Sequence, residues 1–479
     1  MTRRLLALSL LLALAACVRN PITGKRQFSL VSTQEEISIG QQAAKDVQQS
    51  IGLLPNPQVQ EYVARVGKEL AAKSERPELP WSFQVLDDPT VNAFALPGGP
   101  IFVTRGILTH MNSEAELAAV LGHEIGHVTA RHSADQITRA QVAQLGLGLG
   151  SVLSPDLAKY GELASAGLGL MLLKYGRNAE TQSDELGLRY MLDARYDPRE
   201  MLDLFRMLSR VQEGQEGGRL PTWLATHPNP GDRLNETRKR IAGLGGVDFS
   251  TLRTEQVPYL RLLQGVPYGE NPRQGFFQGV RFFHPELRFQ LDFPAGWKTA
   301  NQTQAVLGVS PKQDALLGLA LAGNVPPEQA LRQFLTQQGV QPLPVAPEGL
   351  PPQASYFQAN TEQGAVQGLT AFLSHGGTTY QLLGYTAAGQ LPAYDPAFRA
   401  TFISFRELTD PAMLGVQPAR LELVTLPEPM TLERFHARHP STVPLEEVAL
   451  INGVTPGDTL PAGQLVKRVV GGHRIPDKP

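Results

Sequence analysis

Two histidines four residues apart, His123 and His127, enclose Glu124, Ile125 and Gly126. On a helix that spacing presents both imidazoles on one face, at a separation that a single zinc ion can bridge. Glu124 follows the first imidazole directly and can reach a metal-bound water without ligating the metal, as a general base must. The flanking residues supply the helix: Ser113 and Glu116 have capping-box spacing, and Leu117, Val120, Leu121, Ile125 and Val128 carry an apolar stripe through to about His132. The plainer alternative is a surface helix with unrelated polar residues; the cap before the pattern, the apolar stripe through it and the export signal upstream weigh against it.

Two histidines leave a catalytic zinc shell short of its usual three protein ligands. On a helix that runs on, His132 turns away from His127 by well over a right angle, so the third ligand must come from elsewhere. Glu180, opening the segment Glu180-Thr181-Gln182-Ser183-Asp184, is the strongest candidate by position and chemistry. Asp184 lies one turn later on the same face, where it can orient a ligand or a neighbouring histidine. Against this stands the plainer reading of Glu180 as a helix-start carboxylate favoured by the dipole.

The chain that must hold these groups has 479 residues, enough for two or three modules. With 42% hydrophobic and 18% charged residues it can fill a packed core and is not a disordered chain. A net charge of -2 gives no electrostatic reason for a nucleic-acid partner. The single cysteine excludes an internal disulfide and a multi-thiolate metal site. Arg3 and Arg4 precede an apolar stretch, Leu5 to Ala16, that is shorter than the roughly 20 residues of a membrane-spanning helix and reads as an export signal. Its end, Leu14-Ala15-Ala16-Cys17, resembles a bacterial lipoprotein processing site, which implies a signal peptide at 1–16, lipid on Cys17 and a tether at 17–32. Val18 lacks the carboxylate associated with inner-membrane retention, so the expected location is the cell envelope: outer membrane, facing the periplasm, if the organism has two membranes, and an extracytoplasmic membrane anchor otherwise.

Periodicity predicts helices over 33–51 and 56–72, a strand at 81–86, and a strand-turn-strand unit over 91–104 around Pro97-Gly98-Gly99-Pro100. Residues 142–173, rich in Leu, Gly and Ala but broken by Ser154-Pro155-Asp156, read as two packed helices rather than a membrane hairpin. Helices over 180–194 and 197–210 follow, then a polar loop at 213–218. The first domain is placed at 33–246 and a Gly- and Pro-rich linker at 247–274. An α+β accessory domain at 275–410 has strands expected at 279–283, 289–293, 367–374, 378–386 and 400–406 and a helix near 327–338. A last small α+β module is placed at 419–470. No tandem repeat and no phosphate-binding glycine loop is present.

Over about residues 30–245 the chain resembles the M48 family of zinc metallopeptidases, especially its exported bacterial members. Asn92-Ala93-Phe94-Ala95-Leu96-Pro97-Gly98-Gly99 looks like the family's strand and turn beside the cleft, residues 123–127 match its metal helix, and Val128-Thr129-Ala130-Arg131-His132 fits the continuation. The resemblance implies a mainly helical α+β zincin-like domain with one zinc per chain on His123, His127 and Glu180, and Asp184 in support. It also implies that His227, within Thr226-His227-Pro228, lies over the metal as a transition-state donor or as an occupant of the open position at rest, with Glu124 as base. Asn92, Ala93, Phe94 and Ala95 would bind substrate backbone as an added strand, with Gly98 and Gly99 keeping the approach open. The implied activity is endopeptidase cleavage of misfolded or misassembled envelope proteins. A non-catalytic, zinc-stabilised envelope-binding scaffold is the main competitor. A CAAX-type processing enzyme is weaker, because a signal and lipobox rather than several long apolar spans introduce the chain. Residues 419–470 resemble a peptidoglycan-binding LysM module in their strand-helix-helix-strand order, but Pro427-Glu428-Pro429-Met430-Thr431 stands where its opening Gly-Asp-Thr would, which favours protein contact over glycan binding.

Overall fold

The computed structural model describes residues 17–22, 24–146, 174–213, 223, 226, 227, 230–302, 305–361 and 364–472. The expected signal peptide at 1–16, nearly all of the segment 142–173 and most of the loop at 213–218 lie outside the described residues. Two compact units divide the chain: residues 1–269 with 420–470, and residues 270–419 with 471–479.

The first unit begins with a short antiparallel pair, β1 (Cys17–Arg19) and β2 (Arg26–Phe28). Helix α1 (Thr33–Ile51) starts at a full capping box between Ser32 and Glu35, and α2 (Pro57–Ala71) at Asn56 with proline in its first turn, where a missing N–H costs no helical bond. A three-stranded sheet follows. Its central strand β5 (Pro100–Thr104) is parallel to β3 (Ser82–Leu86) and antiparallel to the edge strand β4 (Ala93–Ala95). The short α3 (Arg105–His110) leads to α4 (Glu114–Thr129), which carries the His-Glu-x-x-His pattern and is buried along its whole length. Ser113 caps α4 by accepting from the Glu116 amide, but the expected capping box is only half made, because the Glu116 side chain is buried rather than returned to the Ser113 amide.

Helix α4 ends at Thr129, earlier than the apolar stripe suggests. Arg131 adopts a left-handed φ of 62°, and a new helix, α5 (His132–Gly146), sets off in another direction. The buried carboxylate of Glu36 on α1 holds this turn. It accepts from Arg131 Nε and, in a two-point contact, from Arg76, whose guanidinium also caps the Val128 carbonyl. Helices α6 (Arg177–Asp193), α7 (Glu200–Glu213) and α8 (Pro230–Ala242) complete the shell around α4. Glycine sets how closely α4 and α6 approach: a Cβ on Gly126 would meet Ser183 Cα at 3.0 Å, and one on Gly187 would meet the His123 amide nitrogen at 2.9 Å.

Residues 420–470 share this unit. Their strand-helix-helix-strand order is as expected, with strands Ala419–Thr425 and Leu465–Gly471 and helices Leu432–Arg438 and Leu445–Ile451, over a small core around Leu432, Phe435, Val448 and Val466. The sheet, however, also takes in Pro267–Tyr268 from outside the segment, and the fully buried Lys467 donates to the Thr109 and Met111 carbonyls at the end of α3. A free-standing LysM fold is therefore not what these residues form.

The second unit is built on a seven-stranded antiparallel sheet in the order 298–301, 305–309, 315–323, 378–387, 364–375, 354–361, 340–342, with a four-stranded sheet beside it. The strand expected at 400–406 is a helix through residue 404, Leu391–Ser404, because Phe398, Thr401 and Phe402 bury at helical three- and four-residue spacing. Among the described residues no helix is long and apolar enough to cross a membrane.

Candidate metal centre

Helix α4 presents His123 and His127 one turn apart, and α6 brings Glu180 in from its own first turn, with His227 ahead of α8 closing the group. Helix α6 starts at Arg177 rather than at Glu180, so its end lacks a side-chain cap and the carboxylate points inward instead of serving the helix start. One donor atom from each of His123, His127, Glu180 and His227 lies within 4.8 Å of the others, and all four side chains are buried. The two Nε2 atoms of His123 and His127 are 3.0 Å apart, His227 Nδ1 is 3.3 Å from His123 Nε2 and 3.0 Å from Glu180 Oε1, and His127 Nε2 is 3.4 Å from Glu180 Oε1.

The donor set fits zinc. The outward nitrogen of each helix histidine is already engaged, His123 Nδ1 by Asp184 at 2.9 Å and His127 Nδ1 by His132 at 3.0 Å. Their Nε2 lone pairs are thus left facing one another in a buried site, an unfavourable arrangement that a cation among three nitrogens and a carboxylate oxygen resolves. Both oxygens of Glu124 are buried without a hydrogen bond among the described residues, and its Oε1 lies 3.6 Å from His227 Nε2.

The electrostatics follow from burial set against close partners. Burial pushes His127 well below the usual imidazole range. It opposes the charges of Glu180 and Asp184 too, yet both are held below the usual carboxylate range, Glu180 by His227 and Arg233 and Asp184 by Arg233 and His123. For His227 the loss of water would lower the pKa, but the carboxylates of Glu180 and Glu124 raise it.

Several groups around the centre were not singled out from the sequence. Arg233 on α8 makes a two-point contact with Asp184, reaches Glu180 Oε2 at 3.1 Å, and lies over the rings of Phe205 and Trp223. Trp223 stacks on His227 and accepts its amide at the Trp223 carbonyl, while Tyr175 stacks on His127 at 3.9 Å between centroids. His132, expected to point away, sits against His127 because the helix between them is broken at Arg131.

The strand beside the centre differs from expectation in its side chains. β4 is an edge strand, but Asn92, Ala93, Phe94 and Ala95 are buried, and Phe94 stacks on Phe102 in the core. Gly98 and Gly99, at φ 75° and 127°, do not hold open an approach: a Cβ on Gly98 would strike Ile37 of α1 at 2.5 Å, and one on Gly99 would meet the Pro80 carbonyl at 3.2 Å. Their lack of side chains lets the turn pack against neighbouring backbone.

Comparison with known proteins agrees with this geometry. The model of Peptidase family M48 matches residues 57–241. The mitochondrial metalloendopeptidase OMA1 of Schizosaccharomyces pombe is 38% identical over 226 residues, covering 45% of this chain and 64% of that protein. The OMA1 of Arabidopsis thaliana is 32% identical over 207 residues, 43% of this chain and 40% of that one. The beta-barrel assembly-enhancing protease of Escherichia coli (strain K12) is 29% identical over 231 residues, 46% of each. The chain thus spans less than two thirds of the length of each of these relatives. With the buried donor cluster in place, residues 57–241 are an M48-family, zinc-metallopeptidase-like domain related to the OMA1 and beta-barrel assembly-enhancing proteases.

Proposed function

We propose that this chain is a zinc-dependent endopeptidase that hydrolyses peptide bonds of misfolded or misassembled cell-envelope proteins. The observation that carries the peptidase reading is Glu124, whose two carboxylate oxygens are buried next to the donor cluster without hydrogen bonds among the described residues. Burying a carboxylate in this way is costly, and a fold retains it where there is a proton to move. His123, His127 and Glu180 hold the metal in this reading, and Asp184 and Arg233 orient them. Zinc, when bound, acidifies a water and polarises the substrate carbonyl. Glu124 accepts the proton of that water and passes it to the departing amine nitrogen. His227 either donates to the oxygen that gathers negative charge or occupies the fourth position at rest; the convergence of its Nδ1 on the other donors favours the resting role. The substrate backbone adds along β4, which among the described residues pairs only with β5; because residues 92–95 are buried in main chain as well as side chain, this edge has to be uncovered before substrate can add to it.

The relative from Escherichia coli is a beta-barrel assembly-enhancing protease, and this, together with the export pattern ahead of Cys17, supports substrates in the cell envelope. In the same reading Cys17 is acylated and anchors the chain; intact-mass measurement of membrane-extracted protein should show the modification, and an unmodified chain retaining residues 1–16 would rule it out. The function is tested by incubating chelated and zinc-reconstituted protein, wild type and His227→Ala, with an unfolded outer-membrane protein and identifying products by mass spectrometry. Zinc-dependent internal cuts are expected, faster in His227→Ala if the histidine is a resting ligand. No cleavage by either reconstituted protein would favour the scaffold reading.

A further inference from the structure

Each helix histidine uses one ring nitrogen toward the centre and the other to fix its tautomer, but the two are fixed by different means. His123 Nδ1 meets a carboxylate, Asp184, at 2.9 Å. His127 Nδ1 meets another imidazole, Nδ1 of His132, at 3.0 Å. The protons between these groups can be assigned by elimination. For His127 Nε2 to offer a lone pair to the donor cluster, the proton of its ring must sit on Nδ1. Nδ1–H then donates to His132 Nδ1, which must be bare, and the His132 proton falls on Nε2. There, at 3.0 Å, the Gln182 side-chain oxygen accepts it. Ser183 Oγ, 3.4 Å from His132 Nδ1, is a hydroxyl that can add a second donor to the same lone pair. Every contact has one donor and one acceptor only with His132 neutral and protonated on Nε2.

The fold builds this contact at some expense. His132 reaches His127 only because Arg131 is held at φ 62° by the buried carboxylate of Glu36, which ends α4 and swings the next residue back over the ring. Tyr175 stacks on His127 at 29° between ring planes while His132 meets it edge-on at 72°, so the imidazole is held on its face and at its far nitrogen.

We propose that His132 is a positioning residue for the metal centre, a neutral imidazole that accepts the Nδ1 proton of His127 and relays orientation from Gln182 on α6, the helix that also supplies Glu180. The neutral partner orients His127 without adding a further carboxylate beside Glu124 and Glu180. This inference rests on the reading of His123, His127 and Glu180 as zinc ligands.

The test combines histidine-selective ¹⁵N NMR of zinc-loaded wild type with zinc affinity by chelator competition in His132→Phe and His132→Asn. The expected spectra show His127 protonated on Nδ1 and His132 on Nε2. Zinc affinity should fall about 10- to 100-fold in His132→Phe, the usual effect of losing a group that orients a ligand, and return in part in His132→Asn, whose side-chain oxygen can accept in place of Nδ1. A proton on His132 Nδ1, or wild-type affinity in folded His132→Phe, would overturn the proposal while leaving the metal centre standing. Failure of the wild type to bind zinc would instead overturn the metal reading and this inference with it. Should His132→Phe not fold, the wild-type spectra and His132→Asn still decide: wild-type protonation as assigned supports the proposal, and the reverse pattern rejects it.

Discussion

At the scale of single residues, the separable roles are those of Glu180 and Asp184. Both are buried carboxylates one helical turn apart on α6, but only Glu180 lies among the converging donor atoms, whereas Asp184 reaches them through His123. Replacing Glu180 by Ala should abolish tight zinc binding, and Asp184→Ala should weaken it by about 10- to 100-fold, as for partners that orient a ligand. Metal analysis and chelator competition on the two purified proteins separate them, and equal affinity in Glu180→Ala and wild type would remove Glu180 from the ligand set. Helical spacing made the pairings legible in the sequence, 123 with 127 and 180 with 184 on one face each, whereas the placing of Glu180 beside the two histidines rested on its chemistry and on the family resemblance. Arg233 was not legible there. It is one basic residue in a strongly polar helix, and only the packing of α8 against α6 and α7 brings it to Asp184.

At the scale of elements, the centre depends on how closely α4 and α6 can lie. A Cβ on Gly187 would meet His123 N at 2.9 Å and Gly122 C at 3.0 Å, both backbone of α4, so the helices must part to admit it. Gly187→Ala should therefore destabilise by roughly 1–3 kcal/mol, the ordinary cost of overpacking, and should weaken zinc binding because His123 and Glu180 move apart. A Cβ on Gly231 of α8 would meet nothing within 4 Å among the described residues, and Gly231→Ala should leave stability unchanged or raise it. Thermal melts and zinc titrations on both variants test this; equal effects would show that the close approach is not what Gly187 provides. Local sequence pattern shows the helices but not where α4 stops. The left-handed Arg131 that ends it is held by Glu36, 95 residues away, a long-range ion pair with no local signature. For the same reason the apolar stripe predicted α4 as far as His132, and the helical-wheel argument sent that residue the wrong way.

At the scale of the molecule, charge couples Lys467, in residues 420–470, to Glu116 on the helix that carries His123 and His127, within the first unit. Burial pushes Glu116 of α4 up to about 8, with Glu200 adding to it, and pushes Lys467 down to about 7, partly offset by Glu116. A carboxyl whose folded pKa lies above its unfolded value lends stability that is complete below the unfolded pKa and is lost as pH rises through the folded one. The wild type should therefore lose stability relative to Glu116→Gln between about pH 5 and about pH 8, read as the difference in Tm between the two proteins in matched buffers. Parallel profiles would contradict it. Neither partner announces itself in the sequence: Glu116 reads as half of a capping box and Lys467 as one residue of an alternating strand, and each is recognisable only once the C-terminal strand is seen to deliver its lysine to the Thr109 and Met111 carbonyls.

The central claim, that this arrangement hydrolyses peptide bonds, turns on Glu124. Glutamine keeps the size of the side chain and leaves His123, His127 and Glu180 untouched, but its amide cannot accept and return the water proton. The decisive measurement is the cleavage rate of zinc-loaded Glu124→Gln against zinc-loaded wild type on one unfolded protein substrate, with metal content and folding verified in both. A fall of roughly 10²- to 10⁴-fold with zinc retained is the expected result. Cleavage by Glu124→Gln at the wild-type rate, in preparations free of other proteases, would contradict the mechanism even if the metal centre itself were real.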